Sequence, residues 1–183
     1  MKAEHEQTRY QRLYERGYPP GNPERLVVWA GAKLNEKVID LGCGRATLSR
    51  IFHRYTGIDF ADKAFPTTYP KHMVFEKAFL HDLPASIKEN RYDLAVCADV
   101  MEHIAPEEVN MTLDSLLALD ASRFLLSVCC RPSNWKDEEG QLHLTIEEPK
   151  WWADKLIERG GGRWIIHASI IMQGTVYFEL LRF

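Results

Sequence analysis

The chain has 183 residues, of which 45% are hydrophobic. This is enough apolar material for one compact core, and the chain is too short for two ordinary domains. The formal net charge is −3 and acidic residues are interspersed with basic ones, so we expect no nucleic-acid partner. The apolar runs are much shorter than the roughly 20 residues that span a bilayer, which predicts no membrane insertion.

The N-terminus and the cysteines indicate the compartment. Residues 1–6 are polar and no apolar segment follows them, so we expect no signal peptide. The chain contains no C-x-x-C pair, and its cysteines are expected to be small buried side chains in a reducing compartment. We therefore expect a cytoplasmic protein and predict no metal site.

The first part of the chain is predicted to be helical. Aromatic and aliphatic residues at helical spacing predict a helix over 7–17, an irregular proline-rich loop over 19–23 and a second helix over 24–34. We interpret residues 1–34 as an N-terminal helical cap on a core formed by 35–183. The whole chain is then expected to be a single domain.

The rest of the chain alternates apolar runs with helical patterns. A helix is predicted after the first strand, from the spacing of Leu48, Ile51 and Phe52. The predicted strands precede Gly42 and then cover 55–59, 73–79, 94–98, 124–130, 163–172 and 175–183. The last two flank a Gln-Gly turn and predict an antiparallel hairpin. This order predicts a doubly wound, Rossmann-like α/β fold with a seven-stranded sheet.

A glycine-rich turn follows the first predicted strand. Gly42 and Gly44 permit a tight turn and a close approach of the backbone to a ligand. The next apolar run ends in Asp59, where a βαβ unit places an acid against a ribose diol. We therefore expect a cofactor that contains a nucleoside.

Two residues beside the turn distinguish between cofactors. A dinucleotide fingerprint requires glycine or alanine at the position of Thr47, and the carboxylate of Asp40 would repel a pyrophosphate but attract an ammonium group. An NAD-type oxidoreductase is therefore disfavoured. S-adenosylmethionine carries an ammonium and a sulfonium group and no phosphate. The segment V-I-D-L-G-C-G-R-A resembles the first motif of class I S-adenosylmethionine-dependent methyltransferases, with Ala46 in place of the last glycine.

A second segment supports the same resemblance. Residues 98–104 read A-D-V-M-E-H-I, which is similar to the S-D-V-L-E-H-I stretch of small-molecule methyltransferases, including O-methyltransferases of the ubiquinone-pathway type. The resemblance extends from about residue 24 to the end and implies S-adenosylmethionine as cofactor and a small-molecule acceptor. The chain lacks the N-P-P-Y or D-P-P-Y tetrapeptide and the Pro-Cys nucleophile of DNA base methyltransferases, which argues against methylation of DNA bases.

The resemblance also implies which residues bind the cofactor: Asp40, Gly42, Cys43, Gly44, Asp59, Phe60, Phe79, Leu80 and Asp99. In this interpretation Asp40 supports the ammonium group, Asp59 accepts hydrogen bonds from the ribose hydroxyls and Phe60 packs on the adenine. Asp99 is expected at the methionyl end.

The chain departs from the family pattern at the adenine. Phe79 occupies the position at which the family usually has an acid that contacts the adenine amino group. His81 and Asp82 are the two candidates to replace this acid. The departure leaves open an alternative function, a catalytically silent regulatory module that binds S-adenosylmethionine or S-adenosylhomocysteine.

The acceptor side of the site is expected to contain a histidine base. The candidates are His103, in the 98–104 segment, and His143, in a long polar loop over 131–150 that is expected to form a wall of the acceptor pocket. Tyr14 and Tyr18 are also expected to line it. Two histidines favour oxygen as the methyl acceptor, while nitrogen and carbon remain alternatives. The aromatic residues of 135–152 are compatible with a homodimer.

Overall fold

The computed structural model describes residues 2–19 and 21–183. Met1 and Pro20 lie outside the described residues. The predictions for the N-terminal segment and for the 19–23 loop are therefore compared with the structure at the other positions only. The main strands are β1 (Lys37–Leu41), β2 (Arg54–Asp59), β3 (Val74–Lys77), β4 (Arg91–Ala98), β5 (Asp120–Cys129), β8 (Trp164–Met172) and β9 (Thr175–Arg182). A small hairpin, β6 (Lys136–Asp137) and β7 (Gly140–Gln141), lies between β5 and β8. The helices are α1 (Lys2–Glu15), α2 (Pro23–Trp29), α3 (Ala85–Lys88), α4 (Val109–Leu117) and α5 (Pro149–Gly160).

The seven main strands form one sheet in the order β3-β2-β1-β4-β5-β9-β8. Strands β1 to β5 pair in parallel, and β9 pairs antiparallel with both β5 and β8. The predicted mostly parallel, seven-stranded sheet with an antiparallel C-terminal hairpin is therefore confirmed. The strand order reverses next to β1, so the crevice between β1 and β4 opens at their carboxyl ends, where α/β sheets bind ligands.

Both faces of the sheet are covered, which explains its continuous apolar strands. Alternate residues of β1 point to opposite faces: Ile39 packs in a cluster with α4 and α5, while Val38 packs in another with α2. Residues 94–97 of β4 are all buried. A parallel strand buried on both faces is expected to be apolar throughout, as this one is.

The helix predicted after β1 is not formed, and this prediction was wrong. The segment is a single short 3-10 turn, Thr47–Arg50, and β2 begins four residues later. Leu48 and Phe52 are buried against the sheet, and the amide of Phe52 donates to the carbonyl of Leu48. Ala46 has a positive φ of 53°, so a helix cannot begin before it. The chain between Ala46 and the start of β2 is too short to form a longer helix and then lead back to the sheet.

The two N-terminal helices have different positions. Leu26 and Val27 of α2 are buried in the sheet cluster that contains Val38, so α2 covers one face of the sheet. Tyr10 and Leu13 of α1 instead pack in a separate cluster with Leu142 from the loop after β5. Helix α1 therefore lies over the carboxyl edge of the sheet, whereas α2 packs on a face of it. The helix predicted over 24–34 ends at residue 29.

The loop over 131–150 is more ordered than its sequence indicated, because it contains the β6–β7 hairpin and the first residues of α5. Of its neighbouring tryptophans, Trp152 is completely buried in the core and Trp151 packs against that core. No helix in the described part of the chain is long and apolar enough to cross a membrane.

Candidate active site

A cavity of about 860 Å³ opens at the carboxyl ends of β1 to β5, beneath α1. Its volume lies within the range of roughly 300–1,000 Å³ that is usual for small-molecule sites. All eleven residues that the sequence analysis assigned to the site line this cavity, namely Asp40, Gly42, Cys43, Gly44, Asp59, Phe60, Phe79, Leu80, Asp99, His103 and His143. The structure thus brings them together, while the role of each stays a prediction.

The carboxylate of Asp59 joins the end of β2 to the glycine-rich turn. Its Oδ2 accepts a hydrogen bond from the amide of Gly44 and its Oδ1 accepts one from the amide of Ala61, both at 2.8 Å. Burial raises the pKa of Asp59 to about 6 despite these hydrogen bonds. Each oxygen keeps a further lone pair for a ligand hydroxyl group.

The glycines of the turn are required by their surroundings. Gly42 has a φ of +77°, and a Cβ atom there would lie 2.5 Å from Cγ2 of Val100. Gly44 has a φ of +50°, and a Cβ atom there would lie 2.8 Å from the hydroxyl oxygen of Tyr14. The backbone of the turn is therefore in close contact with the segment after β4 on one side and with α1 on the other.

Asp40 is buried at the end of β1. The hydroxyl group of Tyr55 donates to its Oδ2 at 2.6 Å. Burial raises the pKa of Asp40 to about 7, although this hydrogen bond acts in the opposite direction. Tyr55 is a partner that the sequence analysis missed, because nothing in the spacing of β2 distinguishes it from an ordinary core aromatic residue.

Asp99 directly follows β4 in an unusual backbone conformation. Its φ is +55°, which is uncommon for a residue other than glycine and is often found where a functional site constrains the backbone. The hydroxyl group of Ser127 on β5 donates to Oδ1 of Asp99 at 3.0 Å, and the amide of Asp99 donates to the carbonyl of Ser127 at 3.0 Å. Neighbouring strands therefore hold the carboxylate at the cavity.

The charges of the cavity suit a cationic ligand. Burial raises the pKa of four carboxyl groups in its lining, those of Asp40, Asp59, Asp99 and Glu102. A positively charged ligand among these groups would favour their ionised forms, whereas a negatively charged pyrophosphate would disfavour the ionised forms. The positive charge of Arg45 is not available to pair with these carboxyl groups, because its guanidinium group donates to the backbone carbonyls of residues 14 and 18. The lining fits a ligand with ammonium and sulfonium groups.

Aromatic rings form the part of the cavity next to β2 and β3. The ring centroids of Phe60 and Phe79 are 5.9 Å apart, and the imidazole of His81 stacks on Phe79 at 5.4 Å with an angle of 14° between the rings. Of the two candidates to replace the missing acid, His81 lines the cavity and Asp82 does not. An adenine at this end would meet ring faces rather than a carboxylate.

Two imidazoles lie at the opposite end of the cavity. The Nδ1 of His103 is 2.9 Å from the carbonyl oxygen of Leu142 and 2.7 Å from the hydroxyl oxygen of Tyr10, and the Nδ1 of His143 is 2.6 Å from the carbonyl oxygen of Arg131. A carbonyl oxygen can only accept, so these contacts favour the tautomer with the hydrogen on Nδ1 in each ring. Burial lowers the pKa of His103 to about 4 and also lowers the pKa of His143. Both rings are therefore neutral near pH 7, with a free lone pair on Nε2.

Glu102 is a site residue that the sequence analysis missed. Its side chain is 1% exposed, Oε1 accepts a hydrogen bond from the amide of Cys129 at 3.0 Å, and Oε2 has no hydrogen-bond partner. One ligand atom each from Glu102, His103 and His143 lies within 4.8 Å of the others. The only signal in the sequence is the adjacent Glu-His pair, which is equally typical of the polar start of a helix.

Helix α1 and the segment that follows it close the cavity with aromatic side chains. Tyr18 forms edge contacts with Tyr10, Tyr14 and Trp135, with ring centroids 5.7 to 6.0 Å apart. These four residues all line the cavity, as predicted for Tyr14 and Tyr18. These rings connect the N-terminal segment to the loop after β5. A ligand at this end of the cavity would therefore contact large planar apolar surfaces next to the two histidines.

The comparisons with known proteins agree with this geometry. The model of a methyltransferase domain family matches residues 3–168. None of the curated protein sequences matches the chain significantly.

Three solved structures show the fold. The 1,6-didemethyltoxoflavin-N1-methyltransferase of Burkholderia thailandensis, with 1,6-didemethyltoxoflavin and S-adenosylhomocysteine bound, has 17% identity and a TM-score of 0.70 over 99% of this chain and 88% of that one. The magnesium protoporphyrin IX methyltransferase of Synechocystis, with S-adenosylhomocysteine bound, has 17% identity and a TM-score of 0.64 over 95% and 84%. The 16S rRNA methyltransferase RmtF has 15% identity and a TM-score of 0.60 over 87% and 60%.

These identities show a shared fold and leave the acceptor open, because those enzymes act on different substrates. The family match covers most of the chain, from α1 into β8. The resemblance to enzymes of the ubiquinone-pathway type in particular stays a prediction. The chain belongs to the methyltransferase domain family, with the class I fold that its sequence predicted.

Proposed function

We propose that this protein transfers a methyl group from S-adenosylmethionine to an oxygen atom of a small-molecule acceptor. The observation that carries the proposal is one cavity with buried carboxyl groups at the glycine-rich turn and two neutral imidazoles at its other end. S-adenosylmethionine, when bound, supplies an electrophilic methyl group on a sulfonium sulfur.

Each group in the cavity then has a role in binding. The carboxylate of Asp59 accepts hydrogen bonds from the ribose hydroxyls, and the carboxylate of Asp40 attracts the ammonium group. The rings of Phe60 and Phe79 pack on the adenine. Asp99, at the end of β4, contributes negative charge near the methionyl part. The family membership and the excess of buried carboxyl groups support this arrangement.

The acceptor is expected between α1 and the two histidines. Tyr10, Tyr14 and Tyr18 exclude water and orient a planar acceptor, so that its reacting atom is held in line with the methyl group. The neutral Nε2 atoms of His103 and His143 can accept a hydrogen bond from a hydroxyl group, which supports oxygen as the reacting atom. A small acceptor is supported by the cover that Tyr18 and Trp135 form over the cavity.

The experiment that tests the function combines calorimetry with an acceptor screen. We expect S-adenosylmethionine and S-adenosylhomocysteine to bind and NAD not to bind. Release of S-adenosylhomocysteine is then measured with planar hydroxylated acceptors, each paired with the analogue that has an amino group instead. We expect turnover with the hydroxylated member of at least one pair.

Each other outcome identifies a different function. Binding of NAD alone would overturn the assignment. Turnover on amines only would correct the acceptor atom to nitrogen. Binding of both S-adenosyl compounds with no turnover on a broad panel would favour the regulatory module, which the phenylalanine at position 79 keeps as the second candidate.

A further inference from the structure

Glu102, His103 and His143 have the composition and arrangement of a metal site. We propose that these three side chains bind one divalent transition-metal ion of the zinc class at the acceptor end of the cavity. The sequence by itself predicts no metal site, because no metal-ligand spacing is visible along the chain. The ligands come from two segments that are about 40 residues apart and meet only in the fold.

The distances permit such a site. One ligand atom from each residue lies within 4.8 Å of the other two. In a tetrahedral zinc site with bonds of 2.0–2.1 Å, ligand atoms are about 3.4 Å apart. The difference is at most about 1.4 Å, which a movement of the loop that carries the partly buried His143 can close.

The backbone orients both imidazoles as metal ligands. The Nδ1 of His103 donates to the carbonyl of Leu142, and the Nδ1 of His143 donates to the carbonyl of Arg131. Histidines that bind metals in proteins almost always donate their other ring hydrogen to a carbonyl or a carboxylate in this way. The remaining Nε2 atom of each ring then presents a lone pair.

The carboxylate of Glu102 provides an independent indication of a missing partner. Its Oε1 accepts from the amide of Cys129, but its buried Oε2 has no hydrogen-bond partner. A buried carboxylate oxygen without a partner is costly, and buried charges are usually paired or bound to a metal. A cation bound between Glu102 and the two imidazoles would supply the partner.

The donor set indicates which ions fit. Two imidazole nitrogens and one carboxylate bind Zn²⁺ and also suit Fe²⁺, Mn²⁺ and Co²⁺. Mg²⁺ prefers oxygen ligands and is a poor match for two imidazoles. Three protein ligands leave at least one coordination position open, as in catalytic rather than structural zinc sites.

With an ion bound, the free lone pairs of the two imidazoles are occupied, so the ion and not an imidazole activates the acceptor hydroxyl group; this role rests on the proposed function. A hydroxyl group that approaches the ion loses its proton to solvent water more easily, because a divalent cation lowers the pKa of an oxygen that it binds. The oxygen then forms the new bond to the methyl carbon. The carbon–sulfur bond breaks, and its electron pair remains on sulfur in S-adenosylhomocysteine.

The test measures metal binding directly. Protein stripped with a chelator is titrated with Zn²⁺ by calorimetry and with Co²⁺ by visible absorption. We expect one equivalent to bind, with the absorption of a low-symmetry Co²⁺ site. His143→Ala and Glu102→Gln should each weaken binding by about 100-fold or more. His53→Ala and His167→Ala, which change exposed histidines elsewhere, should have no effect.

The outcomes separate the metal site from the function. Absence of saturable binding, or equal binding by His143→Ala and the unchanged protein, would overturn the proposal. Thermal unfolding and binding of S-adenosylhomocysteine by each variant show whether it is folded. Turnover that persists in excess chelator would overturn the role of the ion and leave the methyltransferase function intact. Tight Zn²⁺ binding by protein that binds no S-adenosyl compound would support the site and overturn the function.

Discussion

The guanidinium group of Arg9 on α1 donates two hydrogen bonds to the carboxylate of Asp137 on β6, each 2.7 Å long. Arg9 is 4% exposed, and the side chain of Asp137 is 11% exposed. The same guanidinium group also reaches the carbonyls of Gly140 and Gln141 at 3.3 Å. This paired contact holds α1 to the loop after β5 across the mouth of the cavity.

Removal of this contact should loosen α1 without unfolding the sheet. Asp137→Ala leaves the charge of Arg9 buried without its main partner, so the free energy of opening of α1 should fall by about 2–3 kcal/mol. Hydrogen exchange of the α1 amides measures this change. The control is Glu138→Ala, because the ion pair of Glu138 with Arg16 is exposed and should contribute less than about 0.5 kcal/mol. Equal exchange in both variants would mean that the pair does not hold the helix.

The contact between Gly44 and Tyr14 predicts a rescue. Gly44→Ala should destabilise the protein by about 1–3 kcal/mol, because the new methyl group meets the tyrosine hydroxyl at 2.8 Å in a strained backbone conformation. Tyr14→Phe removes that oxygen, and the nearest ring carbon is 3.6 Å away. The double variant should therefore recover the part of the loss that is due to contact, as measured in a double-mutant cycle of urea unfolding.

Gly17→Ala is the matched control for backbone strain. Gly17 has a φ of +86°, and a Cβ atom added at this position would have no neighbouring atom within 4 Å. Its change to alanine should cost about 1 kcal/mol, and Tyr14→Phe should not relieve this cost. The proposed contact would be contradicted if Tyr14→Phe restored the stability of Gly17→Ala, or if it failed to restore any stability to Gly44→Ala.

The sequence was sufficient to predict those features that depend on local patterns. Strands such as β4 were predictable because burial on both faces requires a continuous apolar run. The position of Asp59 beside the glycine-rich turn was predictable because the end of β2 lies next to the turn after β1 in this topology. The absent helix after β1 was not predictable, because Leu48, Ile51 and Phe52 have the same spacing in a helix and in a 3-10 turn that enters a strand. Glu102 was missed because its role depends on an unpaired oxygen that no spacing reveals.

The ribose contact of Asp59 is tested by two substitutions. We expect Asp59→Ala to weaken binding of S-adenosylhomocysteine by about 2–4 kcal/mol, because charge-assisted hydrogen bonds to the hydroxyls are lost. The structure adds that this change also leaves the amides of Gly44 and Ala61 without their acceptor. Asp59→Asn retains one acceptor oxygen and the size of the side chain, so it should lose affinity with a smaller loss of stability.

Asp62 provides the comparison for this test. It follows Asp59 by three residues and is about half exposed, with contacts to Gln11 and Lys77 rather than to the cavity. Asp62→Ala should leave the calorimetric affinity for S-adenosylhomocysteine unchanged. A folded Asp59→Asn variant with the affinity of Asp62→Ala would remove Asp59 from the cofactor site.

The raised pKa of Asp40 predicts how stability depends on pH. The pKa is about 7 in the folded protein and 3.8 for an ordinary aspartate, so the folded state binds the extra proton between these values. The contribution of Asp40 to the free energy of unfolding should therefore fall as pH rises from about 4 to 7, because deprotonation places a charge in a buried site. Asp59, with a pKa of about 6, contributes in the same direction. His103, whose pKa is lowered to about 4, contributes in the opposite direction. Asp40→Asn should reduce this slope in urea unfolding without abolishing it.

The same carboxyl group predicts how cofactor binding depends on pH. The ammonium group of S-adenosylmethionine pairs with the ionised form of Asp40, so its affinity should rise several-fold between about pH 6 and 7, above the range in which Asp59 ionises. Methylthioadenosine, which lacks the amino-acid part, is the matched ligand and should show a rise only in the lower range in which Asp59 ionises. Calorimetry with both ligands from pH 5 to 8 measures the difference, which Asp40→Asn should abolish. Parallel pH profiles for the two ligands in the unchanged protein would show that Asp40 does not contact the ammonium group.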